Sequence, residues 1–216
     1  LINQTDLTLG AADVGGNLNL ALTSGDLLQT APIQVTGATS LAVASSRSIT
    51  LDELANSFTG PVDLLDGSGS LRLANAIALE LSGFSLTGDL WLNAPQITQT
   101  APLSVAGNTS LNGGLNHVRL MSDNNFETLN LSLQGDLDLL DINDLSLGTS
   151  VVGGNLNLMV GGDLTQKAPL NVDGNSQLGS TGNILLTDPL NELGPVALNT
   201  SGNASLVNQT DLTLGS

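Results

Sequence analysis

The sequence predicts an all-β chain wound as a right-handed parallel β-helix, a β-solenoid of about ten coils with roughly three strands in each. Three observations predict it. A thirteen-residue stretch that begins at Gln29 returns at Gln99 and again at Gln166. Within every copy apolar and polar residues alternate, the period of a strand with one buried face. Aromatic residues make up only 2 % of the chain while apolar ones make up 40 %, which suits a narrow tube of stacked aliphatic side chains better than a wide globular interior.

Each copy explains itself locally. Ile33 and Val35 flank Gln34, Leu103 and Val105 flank Ser104, and Leu170 and Val172 flank Asn171. Pro32, Pro102 and Pro169 stand at the first strand residue, where no ladder N–H is yet required. Gly37, Gly107 and Gly174 follow the second apolar residue and supply a sharp corner. The prolines and glycines recur at offsets of 70 and 67 residues, so the 216 residues read as one elongated domain of about three repeats. No stretch carries a helical stripe.

The remaining segments follow in order. Residues 1–10 return as residues 206–215, an offset of 206 − 1 = 205. Residues 69–81 align without gaps to residues 135–147 and 202–214, which places Asn3, Asn75, Asp141 and Asn208 at one corner where short Asx side chains bond the local backbone. A second family comprises residues 16–20, 88–92 and 154–158; a third centres on Phe58, Phe126 and Leu193, which read as core or corner fillers. Strands every seven to eleven residues or so give coils of roughly 22 residues, three coils to a repeat, and a rod about 45–50 Å long at ~4.8 Å per coil. The right hand is expected because crossovers between parallel strands overwhelmingly have it. An antiparallel sandwich is the alternative, but its hairpins want primed two-residue turns, and the single Asn112-Gly113 pair is not repeated.

Composition bounds function. A net charge of −16, with only Arg47, Arg72, Arg119 and Lys167 positive, argues against nucleic acid or an anionic membrane as partner. Cysteine is absent, so neither disulfides nor thiolate metal sites arise. No apolar run is long enough for a membrane-spanning helix and no signal peptide is evident. The chain opens on Leu1 rather than Met, which reads as a mature form or a piece of something longer.

The pattern Gly-Asp-Leu-Thr-Gln-x-Ala-Pro-Leu-x-Val-x-Gly-Asn-x-x-Leu at residues 162–178, with partners at 25–41 and 95–111, resembles the repeats of filamentous-haemagglutinin-like large exoproteins of bacterial two-partner secretion. The resemblance covers essentially the whole chain. It implies a secreted or surface-anchored β-helical stalk, often adhesive, and no individual functional residues, since what is shared is scaffold.

Candidate chemistry is sparse. The four cations are scattered and His117 is the one near-neutral base, so no enzyme and no cofactor is expected. Asp136, Asp138, Asp141 and Asp144 form the densest acidic cluster. Alternation puts Asp136 and Asp138 on one outward face, a weak Ca²⁺ candidate against the simpler reading of a solvated face. Trp91 is expected to face water, because Leu90 and Leu92 point inward and its repeat counterparts are Asn19 and Asn157. It is a candidate contact for a host or matrix glycan or a neighbouring rod. Phe84 has no apolar counterpart and is expected to be partly exposed as a second contact. Finally, end coils of a solenoid leave backbone groups unpaired. Leu1, Ile2, Asn3, Leu7 and Leu9 at one end, and Leu206, Val207, Asn208, Leu212 and Leu214 at the other, are expected to stack against copies of the chain or adjacent repeats. The expected role is a structural or adhesive segment of an extracellular fibre.

Overall fold

The computed structural model describes residues 1–65 and 69–215. Among the described residues there is no helix, and 27 strands follow one another along the chain. Their pairings are parallel and join segments about one coil apart, for example Leu18↔Thr39, Leu71↔Leu90 and Leu156↔Ser176. The fold is a parallel β-solenoid.

Two columns of strands run the length of the rod. The first contains Leu18–Leu22, Thr39–Val43, Val62–Leu64, Leu79–Leu81 and Ile97–Gln99, then continues through Leu137–Asp141 and Leu156–Val160 to Val196–Thr200. The second starts at Leu7–Leu9, passes through Leu27–Gln29, Ile49–Leu51, Leu71–Ala74 and Leu90–Ala94, and ends at Ala204–Leu206. From Leu7 to Leu206 this second column takes ten steps, so a coil averages (206 − 7)/10, about 20 residues, rather than the 22 expected. Individual coils range from 141 − 124 = 17 to 62 − 39 = 23 residues. The shortfall arises because several corners need only a Gly-Asx pair.

Most coils combine one straight strand with a side broken into two short pieces, which makes three strands. In the first repeat Leu18–Leu22 is the straight strand in column one, and Leu27–Gln29 with Ile33–Val35 forms the broken side. In the second repeat the straight strand Leu90–Ala94 lies in column two. In the third, Leu156–Val160 is back in column one. One repeat therefore spans three and a half coils, not three: two straight sides follow one another once per repeat, as Val62–Leu64 and Leu71–Ala74 do, and that makes the number of sides odd. Each repeat is turned half a revolution from the last.

Alternation fills the tube. Leu41, Leu71, Leu92, Leu111, Leu139 and Leu178 are buried with their outward neighbours in water or half-buried. Phe58 and Phe126 are among the largest fully buried side chains, and Leu193 occupies their position in the third repeat. Phe84 corrects the expectation of exposure: it is 7 % exposed and pairs with Leu103 in the core. Its repeat counterparts are small, Ala12 and the fully buried Ser150, so the position is inward in every repeat and only its size varies.

Corners are built by Gly-Asx. The Gly154 N–H donates to Gly135 O and the Gly174 N–H to Gly154 O. A Cβ on Gly154 would lie 2.4 Å from Asp136 Oδ1 and 2.7 Å from the Gly135 carbonyl carbon, so only glycine stacks this closely. The Asx residue then reaches forward one coil: Asp136 Oδ1 accepts the Asn155 N–H at 2.7 Å, and Asn155 Oδ1 accepts the Asn175 N–H at 2.9 Å. Asp144, Asp163 and Asn183 form a second such file, accepting from Asp163, Asn183 and Asn203.

Candidate functional site

The chemistry that recurs lies inside the tube wall rather than on it. Asn56, Asn124 and Asn191 are fully buried. Their Oδ1 atoms accept the N–H of Ile33 (2.8 Å), Leu103 (2.9 Å) and Leu170 (2.9 Å) in the preceding coil. Gln29, Gln99 and Gln166 donate to the same three oxygens at 2.8–2.9 Å. A second Asx residue then takes the next step. Asn75 Oδ1 accepts the Phe58 N–H, an Asp141 carboxylate oxygen accepts the Phe126 N–H, and Asn208 Oδ1 accepts the Leu193 N–H. Asn75 Nδ2 also donates to Phe58 O and Ala78 O. Two stairs per repeat thus sew consecutive coils together where a straight ladder is interrupted; Gln29 and Gln166 also accept from Asn56 and Asn191, while Gln99 Oε1 stays buried without a partner. Asp141 alone among these residues is ionisable. Burial pushes its pKa up from 3.8 to about 6, against the opposing pull of the Phe126 and Asn143 N–H groups.

At the first coil this staircase is incomplete. Asn3 Nδ2 donates to Thr5 O and Asp6 O, the local turn expected of its position, but among the described residues no N–H reaches its Oδ1. Leu1 and Ile2 are 68 % and 76 % exposed, and Leu7 and Leu9 are half-buried although they point inward. At the far end, residues 207–215 lie over the last coil with little secondary structure, joined by a single bridge between Val196 and Leu214. Leu214 is 67 % exposed, Val207 and Leu212 are exposed, and Leu206 is half-buried. Asn208 is the one firm stair there.

Trp91 is half-buried on the outside of column two, as its alternation requires. The Arg72 guanidinium, one coil below, sits 4.4 Å from the ring centroid and is held by Asp52 at 3.1 Å. One face of the indole is therefore covered by a cation. Beyond it opens a groove of about 220 Å³ lined by Trp91, Ser110, Asn112, Asn130, Ser132 and Thr149, among others. Phe84, in the core, does not join it. Asp136 and Asp138 are already engaged. Asp136 serves the corner file, and Asp138 meets His117 Nε2 at 3.1 Å and Asn157 Nδ2 at 3.2 Å. Among the described residues no group of three or more His, Cys, Asp or Glu side chains is placed to hold a metal ion.

Sequence reading located the Asn75/Asp141/Asn208 corner but missed Asn56, Asn124 and Asn191. Their signal was present: they recur at 124 − 56 = 68 and 191 − 124 = 67 residues, in step with the Gln that opens each thirteen-residue copy. Each has a polar neighbour, Ser57, Asn125 or Glu192, so it reads as part of a polar corner, and nothing local says that it turns in.

Nothing matches among curated proteins or among solved structures. A family model described as repeats of unknown function matches three successive stretches, residues 1–65, 68–132 and 134–199. These lie 68 − 1 = 67 and 134 − 68 = 66 residues apart, the period that the buried stairs and the half-turn displacement express in three dimensions. The chain accordingly belongs to the family of repeats of unknown function DUF5649.

Proposed function

We propose that the chain is a stiff structural segment of a bacterial extracellular or cell-surface fibre, of the kind found in large secreted adhesins. The observation that supports this reading is the pair of buried stairs that recurs in each of the three repeats. Such a device continues for as long as coils are added. Length and stiffness follow from coil number, and the net charge of −16 keeps neighbouring rods apart in water. No residue is assigned a catalytic role, and the expected neighbours are further repeats of the same kind. Labelling intact, unpermeabilised producing cells with an antibody to the solenoid tests the location. Surface or medium staining supports the reading, and signal only after permeabilisation refutes it.

A second reading is favoured by one feature, the groove beside Trp91 with its Ser, Asn and Thr lining. An indole next to hydroxyls and amides is chemistry suited to a sugar ring. Quenching or a blue shift of the single Trp emission on titration with matrix oligosaccharides, lost in Trp91→Ala, would support it. An unchanged spectrum across a panel of neutral and acidic glycans would dismiss it.

A further inference from the structure

The outward file that holds Trp91 departs from its equivalents. In the first repeat that file is Asn19, Ser40, Asp63, and in the third Asn157, Gln177, Ala197; in the second it is Trp91, Ser110, Asn130. The Arg72 guanidinium lies 4.4 Å from the indole centroid, close to the spacing of one coil, so the ring lies across the rod with Arg72 against its lower face. The upper face looks onto the groove, whose other residues come from the coils above. Ser110 is the floor, one coil up, and Asn130 the far wall, two coils up and about 10 Å from Trp91. Asn130 is anchored, since its Nδ2 donates to Thr109 O at 3.4 Å. Opposite Asn130 the ladder carries two residues for one: Leu129 pairs with Leu147, but Leu131 with Ser150. This bulge turns Thr149 out into water beside the groove, and a Cβ on Gly148 would run into Asn130 Oδ1.

Resting on the glycan reading of this groove, we propose that it takes a single neutral pyranose ring and excludes acidic sugars. The C–H face of the sugar lies on the upper face of the indole, and its hydroxyls meet Ser110, Asn130 and Thr149. A ring stacked about 3.5–4 Å above the indole then stands within hydrogen-bond reach of the Asn130–Thr149 wall. The volume of about 220 Å³ suits one ring, and falls below the roughly 300–1,000 Å³ of pockets for drug-sized ligands. Among the described residues no charged side chain lines the groove, and Arg72 beneath the indole is already paired with Asp52 at 3.1 Å. A uronate or sialate would find no cation there and would approach a chain of net charge −16. Hydroxyl and amide side chains both donate and accept, as sugar hydroxyls do, so a neutral ring is matched without a charge. The corresponding files of the other repeats carry no indole, and the first adds Asp63, so the site belongs to the second repeat alone.

Matched probes test this on the 216-residue chain, whose single tryptophan reports the site directly. Its emission is titrated with methyl glucoside and methyl galactoside, and with the corresponding uronates, in about 0.15 M salt. The neutral sugars should shift the emission and saturate in the millimolar range expected of one ring on an open surface. The uronates should bind about tenfold more weakly or not at all. Upfield shifts of the sugar ring protons in NMR should mark the C–H face that meets the indole. Ser110→Leu fills the floor and should abolish the response, whereas Arg72→Ala opens the opposite face and should leave the affinity within about threefold. Circular dichroism checks that both variants keep the β fold. Uronates that bind as tightly as the neutral sugars, or a response that survives Ser110→Leu and is lost in Arg72→Ala, would overturn the proposal and leave a glycan contact at Trp91 standing. No response to any sugar would end both. An emission shift that grows with protein concentration and ignores sugar would give the groove to a second copy of the chain and refute the proposal as well.

Discussion

Asp141→Asn should stabilise this protein at neutral pH and leave it unaltered or weaker in acid. Asp141 occupies a stair that Asn75 and Asn208 fill elsewhere, and its pKa is raised by burial to about 6 from 3.8. The native state therefore favours the protonated form. The stability contributed by that proton is fully present below about pH 4 and is lost as pH rises through 6. At 1.36 kcal/mol per tenfold change in proton affinity, the full loss is about 3 kcal/mol. Asp141 also lines an open groove with Ile142, Met159 and Thr181, and water there reduces the figure to about 1–2 kcal/mol. An amide removes the penalty and adds donors like those Asn75 gives to Phe58 O and Ala78 O. Urea denaturation of both proteins from pH 4 to pH 8 measures the difference directly, since the other carboxylates are common to both. The advantage of the variant should grow between pH 4 and 7 to about 1–2 kcal/mol. A difference that is flat across that range, or a variant less stable at pH 7.5, would refute the assignment of a buried, reluctantly ionised carboxylate.

Other perturbations address the remaining parts of the wall. Asn124→Leu orphans the Leu103 N–H and the Gln99 amide and should cost about 1–3 kcal/mol in chemical denaturation, whereas Asn125→Leu one residue away should cost far less. Gly154→Ala drives a Cβ into the Asp136 side chain and Gly135 backbone and should lower stability by about 1–3 kcal/mol, while Gly10→Ala, with nothing within 4 Å, should lie within about 0.5 kcal/mol of wild type. Leu139→Ala opens a hole in the aliphatic column and should cost about 2–5 kcal/mol by thermal or urea unfolding. Arg72→Ala uncovers the indole and should shift Trp91 emission with a stability change below about 1 kcal/mol.

How much of this was legible beforehand depended on whether the cause was local. Period-two alternation at Leu103–Val105 or Leu170–Val172 announces a strand with one dry face, and Gly-Asx pairs such as Gly154-Asn155 announce a corner, because each meaning is decided within a few residues. The parallel stacking was legible only through recurrence. Coil length was less so, since a corner of two residues, as after Leu81, and one of five, as after Leu51, leave the same strand pattern. Asn56, Asn124 and Asn191 were hidden for a different reason: their partners are the Gln and backbone N–H of the coil below, 21 to 27 residues away, and an Asn beside another polar residue gives no sign of its direction. Phe84 misled because its counterparts Ala12 and Ser150 are small and do not mark the position as inward, although Ser150 is buried there. At the Trp91 site, alternation gave the outward direction but not Arg72, because the stacking partner comes from another coil.

The half-revolution between repeats has a consequence for anything displayed on this rod. Asn19, Trp91 and Asn157 are one position by descent, yet they emerge from column one, column two and column one. Duplicating a repeat therefore alternates its decorations between opposite flanks, and a given flank shows the same motif only after seven coils, or about 34 Å. A multivalent receptor with arms about 17 Å apart would have to straddle the shaft, while one reading along a single side would need twice that reach.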